Sequence, residues 1–175
     1  VKYLASSGNG INSSAPTWVT PSFVPYSGAT GAVDLGAYDL TVNGITAGKG
    51  GGAKSDNTAF GVNALLLNTS GNYNTAFGTN TLKSATAGQN TAIGNTSLFQ
   101  LTTGTNNTAL GYNTLSSATT QILNTAIGDQ SMRKNTGQYN TALGASSLFG
   151  NTPSTLATGD YNTSIGYQTL QYATT

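Results

Sequence analysis

The chain has 175 residues, 37% of them hydrophobic and only 6% charged, against roughly 25% charged in ordinary soluble domains. Six basic residues against five acidic ones give a net charge of +1, with no basic stripe to neutralise phosphates, which argues against a nucleic-acid partner. No apolar run reaches the roughly 18 residues needed to span a bilayer, so this segment is not expected to insert into a membrane, and the absence of Cys rules out disulfides as a supplement to a small core.

Residues 1–32 are irregular, with Gly8, Gly10, Pro16, Pro21 and Pro25 interrupting Trp18, Val19, Phe23 and Tyr26. This composition predicts an extended connector whose aromatic residues pack on a partner chain or a neighbouring module. Residues 33–52 change pattern: Val33, Leu35, Tyr38, Leu40, Val42 and Ile45, punctuated by Gly36 and Asn43-Gly44, predict short strands. Gly48, Gly50, Gly51 and Gly52 then surround Lys49 in what reads as a flexible joint. Lys49 does not stand in the GxxxxGK[ST] frame of a phosphate-binding loop.

Residues 53–175 form an array. The phrase Asn-Thr-Ala/Ser-aliphatic/Phe-Gly occurs seven times, starting at Asn57, Asn74, Asn90, Asn107, Asn124, Asn140 and Asn162, with steps of 17, 16, 17, 17, 16 and 22. Four residues after each Gly comes Leu65, Leu82, Leu98, Leu115, Met132, Leu148 or Leu170. Self-similarity at a fixed period marks a stacked, quasi-one-dimensional protein. Gly and Asn recur too often for a helix. Each repeat therefore reads as one coil of a β-solenoid: a strand with Thr58 and Phe60 on one face and Ala59 on the other, a tight turn at Gly, and a second short strand carrying the Leu.

Seven such coils would stack to about 30 to 35 Å. A 16- or 17-residue coil with about two large apolar residues encloses little core of its own. Oligomerisation is the remaining supplement, and a parallel trimer would bury the strand aliphatics Phe60, Phe77, Ile93, Leu110, Ile127, Leu143 and Ile165 in a shared seam. Gly71, Gly88, Gly104, Gly137 and Gly159 lie two or three residues before five of the repeated Asn residues and suit the turn re-entering the strand. The longer last step, with Pro153, places an outward insertion at residues 149–160.

The motifs NTAFG, NTAIG and NTALG resemble the head repeats of trimeric autotransporter adhesins and, more closely, the versions of that repeat in bacteriophage tail fibres, and the stretch Tyr26 to Gly52 is similar to the connector that precedes such repeats in phage tail fibre proteins. The resemblance covers residues 26–175. It implies a trimeric fibre with a parallel β-roll, and it carries over no catalytic residue.

Hydrolytic chemistry needs paired carboxylates, and the only acidic residues are Asp34, Asp39, Asp56, Asp129 and Asp160, in no recurring phase. Without His or Cys, nucleophilic triads and zinc sites have no ligands, and no cofactor or metal is expected. The recurring Asn is expected to hydrogen-bond along the stack or to satisfy turn backbone. A regular Thr column could also form an ice-binding face, but its bulky apolar neighbours suit a packed seam better. Tyr73, Tyr112, Tyr139, Tyr161 and Tyr167 are candidate surface-binding residues, able to stack on sugars or to form a stabilising stripe.

The sequence thus predicts an all-β parallel β-roll or β-solenoid of about seven coils, in an intertwined homotrimer preceded by an extended connector. The expected role is a non-enzymatic structural and adhesive segment of a phage tail fibre. It would be extracellular as part of the virion, would contact other tail or fibre proteins, and would meet a host surface glycan or protein. The alternative is the head region of a bacterial trimeric autotransporter adhesin. In either case the chain is expected to be a piece of something longer.

Overall fold

A computed structural model describes residues 3–4, 18–19, 40–150 and 159–171. The chain divides into two units, Val1–Asp34 and Leu35–Thr175. In the first, β1 (Tyr3–Leu4) pairs antiparallel with β2 (Trp18–Val19). The rest of the expected connector lies outside the described residues, as do Val33, Leu35 and Tyr38.

The second unit is a parallel β-solenoid. It begins with an antiparallel hairpin, β3 (Leu40–Val42) and β4 (Ile45–Gly48), turned at Asn43-Gly44. Both turn residues have positive φ, 49° and 80°, as a two-residue turn matched to strand twist requires. Seven strands follow: β5 (Thr58–Val62), β6 (Thr75–Phe77), β7 (Thr91–Ile93), β8 (Thr108–Leu110), β9 (Thr125–Ile127), β10 (Thr141–Leu143) and β11 (Thr163–Ile165). They pair in parallel and in strict register, Thr over Thr and aliphatic over aliphatic, in one sheet ordered from β3 at one edge to β11 at the other. Among the described residues there is no α-helix.

Each of the seven repeat phrases ends at a Gly whose φ lies between 121° and 141°. A Cβ added at Gly61, Gly78, Gly94, Gly111, Gly128 or Gly144 would approach a backbone carbonyl or Cα of the next coil's Gly, the nearest atom lying 2.3–2.6 Å away. Glycine is therefore required twice here, for the dihedral and for the spacing between coils.

The expected second strand does not form. The residues after Gly make a turn instead, and Leu65, Leu82, Leu98, Leu115, Met132, Leu148 and Leu170 sit in it at φ of 48–50°, in the left-handed region. That conformation costs an L-residue about 1–2 kcal/mol. Burying a Leu side chain returns about 1.5–3 kcal/mol, so the penalty is offset where the side chain is fully enclosed. It is enclosed in six coils, where this column is at most 1% exposed.

The interior of the coil is narrow. It holds the central strand residue (Ala59, Ala76, Ala92, Ala109, Ala126, Ala142 and Ser164), the Leu/Met column, and a third column running Asn68, Ala85, Leu101, Ala118 and Asn135. Leu101 fills the width that its small neighbours Ala85 and Ala118 leave, so large and small residues complement each other along the axis. A buried hydroxyl precedes the Leu or Met in most coils and donates to a carbonyl of the next: Thr81 Oγ1 to Gly94 O at 2.6 Å and Thr114 Oγ1 to Gly128 O at 2.8 Å at the strand end, and Ser97 Oγ to Ala109 O at 3.3 Å and Ser147 Oγ to Ser164 O at 3.0 Å at the central strand residue.

The Gly-rich run does not behave as a free joint. Gly51–Ala53 forms a 3-10 turn packed against the first coil, where Gly51 N–H donates to Leu65 O at 2.9 Å. A Cβ at Gly50 would lie 2.6 Å from Leu65 Cβ, and one at Gly51 would lie 2.4 Å from Leu66 O. Together with β4, which pairs antiparallel to β5, this run closes the N-terminal end of the array.

Candidate functional site

The Asn ladder fixes the coil geometry on which any surface depends. Within a coil, Asn57 Nδ2 donates to Gly71 O at 2.8 Å, closing a 14-residue loop. Between coils, Asn57 Oδ1 accepts the N–H of Asn74 at 2.8 Å. The same pair of bonds recurs at Asn74, Asn90, Asn107, Asn124 and Asn140. Both roles expected for Asn are thus carried by one side chain. At Asn140 the closing partner is Gly159, 19 residues on, so the ladder passes through the longer coil unchanged. Gly150 is buried on one side of that insertion, and a Cβ at Gly137 would lie 2.0 Å from Gly159 O on the other. Of the expected protrusion at residues 149–160, residues 151–158 lie outside the described residues.

With Ala pointing inward, Thr and the aliphatic residue of every strand point outward. This produces two parallel columns on one sheet face. The Thr column runs Thr58, Thr75, Thr91, Thr108, Thr125, Thr141 and Thr163. The apolar column comprises Phe60, Phe77, Ile93, Leu110, Ile127, Leu143 and Ile165, and all but Ile127 are 39–65% exposed. None of these seven belongs to the coil's own interior. In the single chain they form an uncovered apolar stripe roughly 30 Å tall. Phe60 and Phe77 stack at 4.9 Å between centroids and 12° between planes at one end of the stripe.

The expected core residues therefore separate into two groups. Leu65, Leu82, Leu98, Leu115, Met132 and Leu148 are interior to the coil, whereas Leu170, in the last one, is 46% exposed. Leu101 and the central Ala column are interior positions that the repeat phrase does not single out. Leu101 stands outside the Leu phase, and Ala draws attention only once the inward direction of the strand is known.

The five Tyr candidates are all at least 40% exposed but do not converge. Tyr73, Tyr139 and Tyr161 occupy one column, just before the ladder Asn, at φ of 58–61°. Tyr139 and Tyr161 stack there at 4.8 Å and 6°. Gln89, Asn106 and Leu123 separate them from Tyr73. Tyr112 and Tyr167 follow the strand Gly on another column and are separated by Asp129 and Ala145. On the turn surface, Lys83 lies 5.7 Å from the Phe99 ring centroid, and Arg133 and Lys134 lie 5.9 and 5.7 Å from that of Phe149, shielding these aromatic rings.

Asp56, Asp129 and Asp160 are exposed on separate coils, and Asp160 Oδ1 accepts the Gln138 N–H at 2.6 Å. Among the described residues no group of three or more His, Cys, Asp or Glu could hold a metal ion. No helix among them is long and apolar enough to cross a membrane. The chain matches no protein-family model, and no curated protein or solved structure shows significant similarity to it.

Proposed function

We propose that this chain is a structural and adhesive segment of a homotrimeric fibre, of the kind carried by phage tails, that takes part in attachment to a host cell. The observation that carries this reading is the outward apolar column on a sheet face whose own coil interior is only three residues deep, a Leu or Met, an Ala or Ser, and one residue of the third column. A continuous exposed apolar stripe of this length marks an interaction surface. Its in-register repetition suits a partner with the same axial period, which another copy of this chain has by construction. Three stripes facing one axis bury each other and add the core that a 17-residue coil lacks. The role is mechanical and non-enzymatic, with no cofactor. Other tail or fibre proteins would continue the assembly outside the cell, and exposed Tyr residues would meet a surface glycan or protein.

Light scattering tests the reading directly. A particle of three times 17.7 kDa is expected, and a stable monomer at micromolar concentration would overturn it. Ile127→Asp, on the stripe and outside the coil interior, is expected to leave folded monomers. A trimer of unchanged thermal stability would show that the stripe is not the interface.

A further inference from the structure

The coil from Asn140 to Asn162 carries the longest step of the array, 22 residues, yet one column along its seam is pinned from both sides. Gln138 N–H donates to Asp160 Oδ1 at 2.6 Å, and Tyr161 N–H donates to Gln138 O at 3.1 Å. Just beyond, Asn162 N–H donates to Asn140 Oδ1 at 2.8 Å. Tyr139 and Tyr161 stand between these bonds at nearly the same φ, 58° and 60°, so their side chains leave the backbone in the same direction. Their rings stack, with 4.8 Å between centroids and 6° between planes. Tyr139 is 40% and Tyr161 75% exposed, so both rings are open to solvent.

The other exposed tyrosines of the array have no such neighbour in their columns. Tyr73 lies between Asp56 and Gln89, Tyr112 is followed by Asp129, and Ala145 precedes Tyr167. Nearly parallel rings at this centroid distance are offset and in van der Waals contact, at roughly 3.5–4.0 Å. The ring carbons ortho to the two hydroxyls are thereby brought within a small side-chain rotation of each other.

We infer that Tyr139 and Tyr161 form an oxidative crosslinking site, at which a peroxide-driven one-electron oxidant of the peroxidase class joins the two rings as dityrosine. Each phenol gives up one electron and its O–H proton. The two phenoxyl radicals couple through a carbon–carbon bond between ortho positions, and the ring hydrogens displaced there return to the oxygens. The two electrons and two protons lost reduce one hydrogen peroxide to two waters. Stacking supplies the proximity that favours coupling within a chain over coupling between chains. The product is a covalent tie across the coil that breaks the 16- or 17-residue step, closing a loop whose ends the hydrogen bonds and the ring stack already hold in register. A crosslink restricts the unfolded chain, and more so the longer the loop it closes. Met132, the chain's one methionine and a competitor for peroxide, is fully buried. The inference concerns a single chain and is independent of how many lie side by side.

Treating the 175-residue protein with a peroxidase and hydrogen peroxide tests this. After denaturation the expected product has the mass of one chain less two hydrogen atoms and shows the blue fluorescence of dityrosine. Cleavage before Asp129 and Asp160 should release segments 129–159 and 160–175 joined through Tyr139 and Tyr161. The Tm of the folded product should rise by roughly 5 °C or more. Tyr139→Phe and Tyr161→Phe each keep the ring stack and should leave the untreated protein's Tm unchanged, while removing both the joined segments and the Tm gain. Dityrosine that forms only between chains, or only through Tyr112 or Tyr167, overturns the inference. So does treatment that yields no dityrosine, or joined segments that persist in the Tyr139→Phe protein.

Discussion

Asn107→Ala tests the ladder at mid-array. Asn107 Nδ2 donates to Gln121 O at 2.8 Å and to Asn90 Oδ1 at 3.1 Å, and its Oδ1 accepts from Asn124 N–H at 3.1 Å. Truncation leaves Asn90 Oδ1 with the Asn107 backbone N–H at 3.1 Å, so that acceptor remains satisfied. The Gln121 carbonyl and the Asn124 N–H lose their partners. Each buried backbone group left unpaired costs about 1–3 kcal/mol, so the expected loss is about 2–6 kcal/mol. At about 2–4 °C per kcal/mol for a chain of this size, Tm should fall by roughly 4 °C or more. The neighbouring Asn106→Ala is the control, since Asn106 is exposed and its side chain reaches only Thr105 Oγ1, at 3.0 Å. It should cost under about 1 kcal/mol, mainly through its φ of 59°, which Asn tolerates better than Ala. Urea denaturation of both variants gives the comparison, and hydrogen exchange at the Asn124 amide locates the loss. Equal stability of the two variants would refute the ladder as a source of stability.

Two further substitutions separate the interior from the stripe and test the stacking distance. Leu115→Ala, fully buried, should destabilise the folded coil by about 2–5 kcal/mol, whereas Leu110→Ala, 41% exposed in the single chain, should leave the coil folded and weaken only self-association; the opposite order by denaturation and light scattering would invert the assignment of the two columns. Gly94→Ala places a Cβ 2.3 Å from Gly111 O at a φ of 127° and should cost about 3 kcal/mol or more, against a smaller loss for Gly166→Ala, where the nearest contact is 3.2 Å; similar losses in thermal melts would show that coil spacing is not what requires glycine.

The period, the strand and its facing were legible in the sequence, because each follows from local rules. A seven-fold phrase at nearly constant spacing allows only a stack, and strand side chains alternate, so Thr and the aliphatic residue had to share a face with Ala opposite. The Asn-Gly hairpin and the terminal Gly of each strand were readable for the same reason, since both answer to backbone sterics.

Tertiary structure alone decided which face is the interior. Alternation says that Ala and Phe point apart, and hydrophobicity would have put Phe inside. The coil is too narrow for that, so Ala59 is buried and Phe60 is 44% exposed. Nor could propensity place Leu82 at a φ of 48°, because the penalty is local while the compensation comes from residues in neighbouring coils. The Gly-rich run read as a joint because glycine is permissive in isolation; against Leu65 the same residues allow a close-packed cap. Sequence therefore determined the repeat and the strand, through interactions spanning a few residues. The direction of the core and the offset of the strained Leu column depend on contacts between coils, 16 or more residues apart, which exist only once the coils are stacked.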